Sequence, residues 1–309
     1  MKTAVLIPCF NEAKTIQKVI DDFKRTMPGA DIYVYDNNST DGTDEIARKA
    51  GAIVRYEYKQ GKGNVVRSMF REIDADCYIM TDGDDTYPAE SGPELEQEVL
   101  SGRADMAIGD RLSSTYFTEN KRPFHNMGNV LVRKMINGLY QSRVKDIMTG
   151  LRGFSREFVK SFPVISKGFE IETEMTIFAL DSGFSIVEIP IEYRDRPEGS
   201  ESKLNTYSDG FRVMRTIFRL FRDTRPFAFF TSISMMIWIV CLCFFIPIAR
   251  EFAITGMVKK FPTLIVISAA ATVGVINFFC GVILTVLRKQ HVQRFEQYLH
   301  ILHYMTKNH

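Results

Sequence analysis

Five short apolar runs alternate with amphipathic stretches over the first third of the chain. AVLIP (4–8), IYVYD (32–36), IVRYEY (53–58), CYIMTD (77–82) and DMAIG (105–109) predict strands. Helical patterns fall between them, over roughly 12–26, 41–50, 63–73 and 91–101. Near-continuous apolar strands suit a sheet covered on both faces. Strand–helix alternation predicts an α/β fold with a doubly wound, mostly parallel sheet. Ligands of such sheets bind beyond the carboxyl ends of the strands. The polar clusters lie there: PCFNE after the first run, DNNSTDGT after the second, DGDD after the fourth.

The pattern changes after residue 204. Over 205–226 a helix would place Arg212, Arg215, Arg219 and Arg222 on one face, with Val213, Met214, Ile217, Leu220 and Phe221 on the other. Such a helix packs on a domain surface or lies on an anionic leaflet; its run into an apolar segment favours the leaflet. Residues 227–249 and 262–287 then carry no charge at all. About 20 apolar residues span a bilayer core, so both segments predict membrane helices. The linker 250–261 is short enough to make a hairpin. Basic flanks (RVMRTIFRLFRDTR before, RKQHVQR after) predict that the 1–204 domain, the tail 288–309 and both ends face the cytoplasm, with 250–261 outside. The chain is therefore expected to be a multi-pass protein of the cytoplasmic membrane, in contact with membrane lipids.

Charge narrows the function. Across 309 residues, 39 Lys and Arg oppose 37 Asp and Glu, for a net charge of +2. That balance argues against a nucleic-acid partner. Five scattered cysteines form no CxxC pair, which argues against zinc or a disulfide framework and fits reduced thiols.

YIMTDGDDTYPAE (78–90) carries the densest chemistry. Asp82 and Asp84 flank Gly83, so in an extended turn both carboxylates point the same way. Two carboxylates at a strand end suit a hard divalent cation, Mg²⁺ or Mn²⁺, completed by a substrate diphosphate. Asp85 is expected to point away, as a capping or supporting residue. An EF-hand loop is excluded, because Tyr87 and Pro93 stand where its glycine and glutamate belong. A plain helix-capping cluster is the bland alternative. Asp36 ends the second strand and is placed to accept from a base or ribose donor, while Asp41 suits a helix cap. GKGNVVRS (61–68) lacks both dinucleotide and P-loop spacing. Its Lys62, opening a helix, is either an anion contact or an exposed loop residue.

PCFNE, DNNSTDGT, GKG, DGD and DIMTGLRGFSR (146–156), in this order, resemble the inverting glycosyltransferases of family 2, over roughly residues 4–204. With the two C-terminal spans, the whole chain is similar to polyprenyl-phosphate glycosyltransferases. These include dolichyl-phosphate mannose synthases and bacterial undecaprenyl-phosphate glucosyl- and N-acetylglucosaminyl transferases. The resemblance implies a GT-A fold, a nucleotide-sugar donor and a polyprenyl phosphate acceptor. It implies that Pro8, Phe10 and Glu12 line the nucleotide pocket with Asp36 and Lys62. Asp82 and Asp84 would hold the metal, and Arg111 would lie near the phosphates. Arg196 and Lys203 would reach donor and acceptor phosphates, and Asp146 would be the catalytic carboxylate. A lipid phosphate needs no general base, so Asp146 is expected mainly to position the acceptor or its cationic partners. A UDP donor carrying glucose or N-acetylglucosamine is favoured; GDP-mannose transfer is the alternative, and a catalytically dead membrane scaffold the rival of another class. A homo-oligomer is left open.

Overall fold

The computed structural model describes residues 1–113, 123–168, 170–192, 194, 215, 218–219 and 221–307. It divides into two units, 1–216 and 217–309. In the first, β1 (Thr3–Cys9), α1 (Ile16–Thr26), β2 (Asp31–Asp36), α2 (Thr43–Lys49), β3 (Ile53–Tyr56), α3 (Lys62–Glu72), β4 (Cys77–Met80), α4 (Gly92–Leu100) and β5 (Met106–Asp110) follow the alternation of the apolar runs. Then come α5 (Pro123–Tyr140), β6 (Arg152–Ser155), α6 (Arg156–Ser161), α7 (Ile171–Asp181) and β7 (Ile186–Pro190).

The seven strands form one sheet in the order β3-β2-β1-β4-β6-β5-β7. β6 alone is antiparallel to its neighbours β4 and β5; all other pairs are parallel. The expected doubly wound α/β sheet is therefore present. Its central strands are apolar on both faces because helices cover both. Val5 and Ile7 of β1 pack with Ile16, Val19, Ile20 and Phe23 of α1, and with Ile79 of β4 and Leu95 of α4. β1 pairs parallel with both β2 and β4, so the loops after β1, β2 and β4 emerge at one edge.

In the second unit, α8 (Pro226–Thr255) and α9 (Phe261–Lys307) are both long and apolar enough to cross a membrane. They pair as an antiparallel hairpin. Asn277 donates to the Phe230 carbonyl and to Ser234 Oγ, each at 2.9 Å, and Trp238 Nε1 donates to the Ala271 carbonyl at 3.3 Å. Trp238 lies over Gly274, where an added Cβ would fall 2.5 Å from the indole nitrogen. Small residues at such a crossing let helices approach, and polar side chains join them. Asn277→Ala is expected to weaken the hairpin by about 1 kcal/mol, read as earlier thermal unfolding in detergent. The arginine-bearing stretch 205–226 lies mostly outside the described residues.

Candidate active site

Three loops meet beyond the carboxyl ends of β1, β2 and β3, and side chains tie them together. Asn11, at positive φ in PCFNE, accepts from Thr40 N (2.8 Å), and its own N–H donates to Ser39 Oγ (2.9 Å). Glu12 N donates to Thr43 Oγ1 (2.9 Å) and Ala13 N to Asp41 Oδ2 (3.0 Å). Asp41 also accepts from Thr43 N (3.1 Å), at the start of α2. Asn37 does the same work toward the third loop. Its Nδ2 donates to the Glu57 and Lys59 carbonyls, and its Oδ1 accepts from Gly61 N (2.7 Å). Within this frame Asp36 is buried. One of its oxygens accepts from Ser39 N (2.9 Å); the other, Oδ1, has no hydrogen-bond partner among the described residues. A buried acceptor left open is costly, which points to a donor supplied from outside.

The DGDD turn lies against the same frame. Thr15 Oγ1 donates to the Gly83 carbonyl at 2.6 Å, and a Cβ at Gly83 would fall 2.9 Å from Cys9 Sγ and 3.5 Å from Glu12 Cγ. Glycine is required by that close approach. Asp84 is buried, and its Oδ1 accepts from Thr86 Oγ1 (2.6 Å) and Thr86 N (3.3 Å). Asp85, at positive φ, pairs instead with Lys18 (2.7 Å) and stands 3.9 Å from Arg194.

Asp82 has a partner that the sequence did not reveal. Lys62 Nζ sits 2.5 Å from Asp82 Oδ1 and 2.5 Å from Glu172 Oε1, the latter on α7. The lysine side chain is only 9% exposed, so it is no loop residue in solvent. Burial opposes its charge, but Asp82 and Glu172 outweigh that and raise its pKa above the ordinary lysine value. Burial also raises the Glu172 carboxyl, with Lys62 pulling the other way. The flanking glycines have a packing reason. A Cβ on Gly61 would fall 2.1 Å from the Lys167 carbonyl oxygen, and one on Gly63 would fall 2.2 Å from that of Ser166. On the far side, a Cβ at Gly150 would fall 2.5 Å from Asp82 Oδ2, so the glycine of TGLRGF leaves room for that carboxylate.

The second half of the site is a buried ion pair. Arg111 meets Asp146 in a bidentate fork, Nε to Oδ2 at 2.8 Å and an η-nitrogen to Oδ1 at 3.0 Å. Arg111 N adds a third contact at 3.2 Å, and Met148 N donates to Oδ1 at 3.3 Å. Asp146 is 1% exposed, so its carboxylate is committed to holding the guanidinium. The Arg111 guanidinium also lies 5.8 Å from the centroid of the Tyr87 ring, and Tyr87 Oη accepts from Gly150 N at 2.7 Å. Arg152 braces the turn from beneath. Its guanidinium donates to the Ile147 and Thr149 carbonyls and to Thr176 Oγ1. Burial away from water pushes its pKa down to about 10. Glu188, on β7, accepts from Lys145 N (2.7 Å) and Asp146 N (3.1 Å).

Of the residues singled out in the sequence, Lys62 and Asp82 are paired directly. Glu12 lies against the DGDD turn, and Arg111 is locked to Asp146. Pro8 is the penultimate residue of β1, opposite Tyr35, and Phe10 follows directly after that strand. Arg196 and Lys203 lie outside the described residues. Asn37, Tyr87, Arg152 and Glu172 were not foreseen as parts of the site. Asn37, Tyr87 and Arg152 stood in quoted motifs but were given no role there; Glu172 sits in IETEMTIFALD, outside every quoted motif, and its polar residues are buried.

Asp82 and Asp84 offer hard oxygen ligands, and no group of three His, Cys, Asp or Glu stands together among the described residues. They fit Mg²⁺ or Mn²⁺ as a partial set that phosphate and water would complete, and do not fit a self-contained metal cage.

The fold and the loop cluster define a GT-A-like α/β domain with its site at the carboxyl ends of the strands. Residues 4–162 match the model of glycosyl transferase family 2, and the chain belongs to that family. It is 33% identical over 231 residues to the glycosyltransferase AglJ of Haloferax volcanii, covering 74% of this chain and 75% of that one. A dolichyl-phosphate hexose transferase of the same organism is 30% identical over 222 residues, 72% of this chain and 95% of that one. Among solved structures, glucosyl-3-phosphoglycerate synthase from Mycobacterium tuberculosis, in complex with Mn²⁺, UDP and phosphoglyceric acid, superposes with a TM-score of 0.56. It is 20% identical, covering 72% of this chain and 77% of that one.

Proposed function

We propose that this glycosyltransferase moves a hexose from a nucleoside-diphosphate sugar to the phosphate of a membrane polyprenyl phosphate, with inversion at the anomeric carbon. The observation that carries the acceptor is the pair of helices long and apolar enough to cross a membrane, in the same chain as a family 2 domain. The dolichyl-phosphate hexose transferase, matched over nearly its whole length, supports it. The charge pattern supports a cytoplasmic catalytic domain.

Asp36 supports a uridine donor. Uracil presents one N–H between two carbonyls, and Asp36 has one open oxygen. Guanine presents two donors side by side and would call for both. Glucose or N-acetylglucosamine remains the favoured hexose by resemblance. Asp36→Asn is expected to weaken UDP binding about tenfold. An amide cannot accept from Ser39 N and the base with both of its ends. Calorimetric titration with UDP and GDP checks this; equal affinity for both nucleotides would remove the uridine preference.

Inversion calls for in-line attack by an acceptor phosphate oxygen as the nucleoside diphosphate leaves. A monoester phosphate has its second pKa near 6 and is mostly dianionic at neutral pH, so no side chain need remove a proton. A divalent cation bound by Asp82 and Asp84 would neutralise charge on the departing diphosphate, as Mn²⁺ and UDP occur together in the fold relative. This chain's own cations do the rest. Arg111, fixed by Asp146, is proposed to meet a phosphate, and Arg196 and Lys203 to separate the two anions during attack.

The test is incubation of membranes carrying the protein with labelled UDP- and GDP-sugars and undecaprenyl phosphate, with and without EDTA. Label should enter the lipid from a UDP-hexose and vanish in EDTA. Transfer that persists in EDTA would remove the metal; transfer only from GDP-mannose would replace the donor; no transfer from any donor would favour a scaffold.

A further inference from the structure

Lys62 stands where the proposed metal site meets the proposed donor site. Its ammonium neutralises Asp82, one of only two carboxylates in the partial metal set, and α7 holds it there through Glu172. The helix start is pinned as well. Gly63 N donates to the Lys167 carbonyl (3.1 Å), and Glu174 accepts from Ile165 N and Ser166 N (3.0 and 2.8 Å), fixing the loop above Lys62. Gly150 lies beside the other Asp82 oxygen, where a Cβ would fall 2.5 Å from it.

We infer that Lys62 is a resident placeholder cation that couples metal binding to donor binding, with Glu172 as its positioning residue. This rests on the metal and donor assignments proposed above. While Lys62 stays on Asp82, a divalent cation meets a carboxylate already neutralised and finds Asp84 alone. An incoming diphosphate offers the ammonium new oxygens. Lys62 then transfers from Asp82 to the donor while Glu172 keeps it tethered, and Asp82 becomes available. Donor and metal each strengthen the other, and linkage makes the two effects equal. The cluster of Asp82, Glu172 and Lys62 carries a formal charge of −1; without the ammonium it carries −2. A free enzyme lacking Lys62 therefore binds metal more tightly but loses the partner that reads the donor.

The experiment is Mn²⁺ titration followed by electron paramagnetic resonance on the detergent-solubilised full chain, with and without UDP. Wild type is expected to bind Mn²⁺ at least tenfold more tightly with UDP present. Lys62→Met should tighten Mn²⁺ in the absence of UDP, weaken UDP, and remove most of the coupling. Glu172→Gln should do the opposite in the absence of UDP, leaving Lys62 wholly to Asp82 and weakening Mn²⁺. Wild-type affinity that is the same with and without UDP overturns the placeholder even if neither variant folds. Unchanged or weaker Mn²⁺ binding in folded Lys62→Met overturns it too. Wild type that binds UDP but no Mn²⁺ under either condition overturns it together with the metal assignment.

Discussion

Asp84→Asn is expected to lower sugar transfer at least a hundredfold at saturating Mn²⁺, with little change in thermal unfolding. Asparagine keeps the shape of the side chain and one acceptor for Thr86, so the turn should stay folded. What it loses is the charge that Lys62 does not already neutralise. Removing one preorganised electrostatic group from a transfer site costs on the order of 10²–10³ in rate. Single-turnover rates with labelled donor measure it, and a loss below tenfold would take Asp84 out of the metal set. Asp85→Asn is the contrast. Its partner Lys18 is half exposed, and exposed pairs contribute about 0–1 kcal/mol. Transfer should fall no more than about fivefold.

Asp146→Asn carries the second large effect, and it divides between stability and rate. Losing one partner of a buried ion pair destabilises by about 3–5 kcal/mol, because the other charge stays buried and unmatched. Arg111 would be that charge, at 8% exposure. Denaturant unfolding in detergent should show the loss. Turnover at pH 8 is expected to remain within about tenfold of wild type once acceptor is saturating, while the KM for polyprenyl phosphate rises tenfold or more. Those outcomes follow if Asp146 serves through Arg111 and the acceptor needs no base. Abolished turnover with acceptor demonstrably bound would make Asp146 the base after all.

Much of the scaffold was legible because β1, β2, β4 and β5 are near-continuous apolar runs, and a sheet covered on both faces needs that pattern. The later elements were not. β6 reads RGFS, four residues with a buried arginine, and it pairs antiparallel where alternation implies parallel. α7 buries Glu172, Thr173, Glu174 and Thr176, polar residues that ordinarily face solvent. They are buried because they have partners: Lys62, the 165–166 backbone and Arg152. The site shows the same division. Spacing exposed Asp82 and Asp84, since one chain segment supplies both. Lys62 with Glu172, and Arg111 with Asp146, are pairs between distant segments, and only folding brings them together. The glycines of GKG and Gly150 of TGLRGF carried no assigned role in the sequence. Each leaves room for a neighbour, a carbonyl oxygen in one case and the Asp82 carboxylate in the other.

Helix α9 runs unbroken from Phe261 to Lys307. Its charge-free part ends at residue 287, and that part alone is long enough for a bilayer core. The remaining turns, 288–307, extend about 30 Å further at roughly 1.5 Å per residue. With the apolar part across a bilayer, a straight continuation would carry these turns out of the lipid as a mast. A fluorophore placed along the mast would report height above the headgroups from its residue number alone, with quenching by labelled lipid falling off turn by turn.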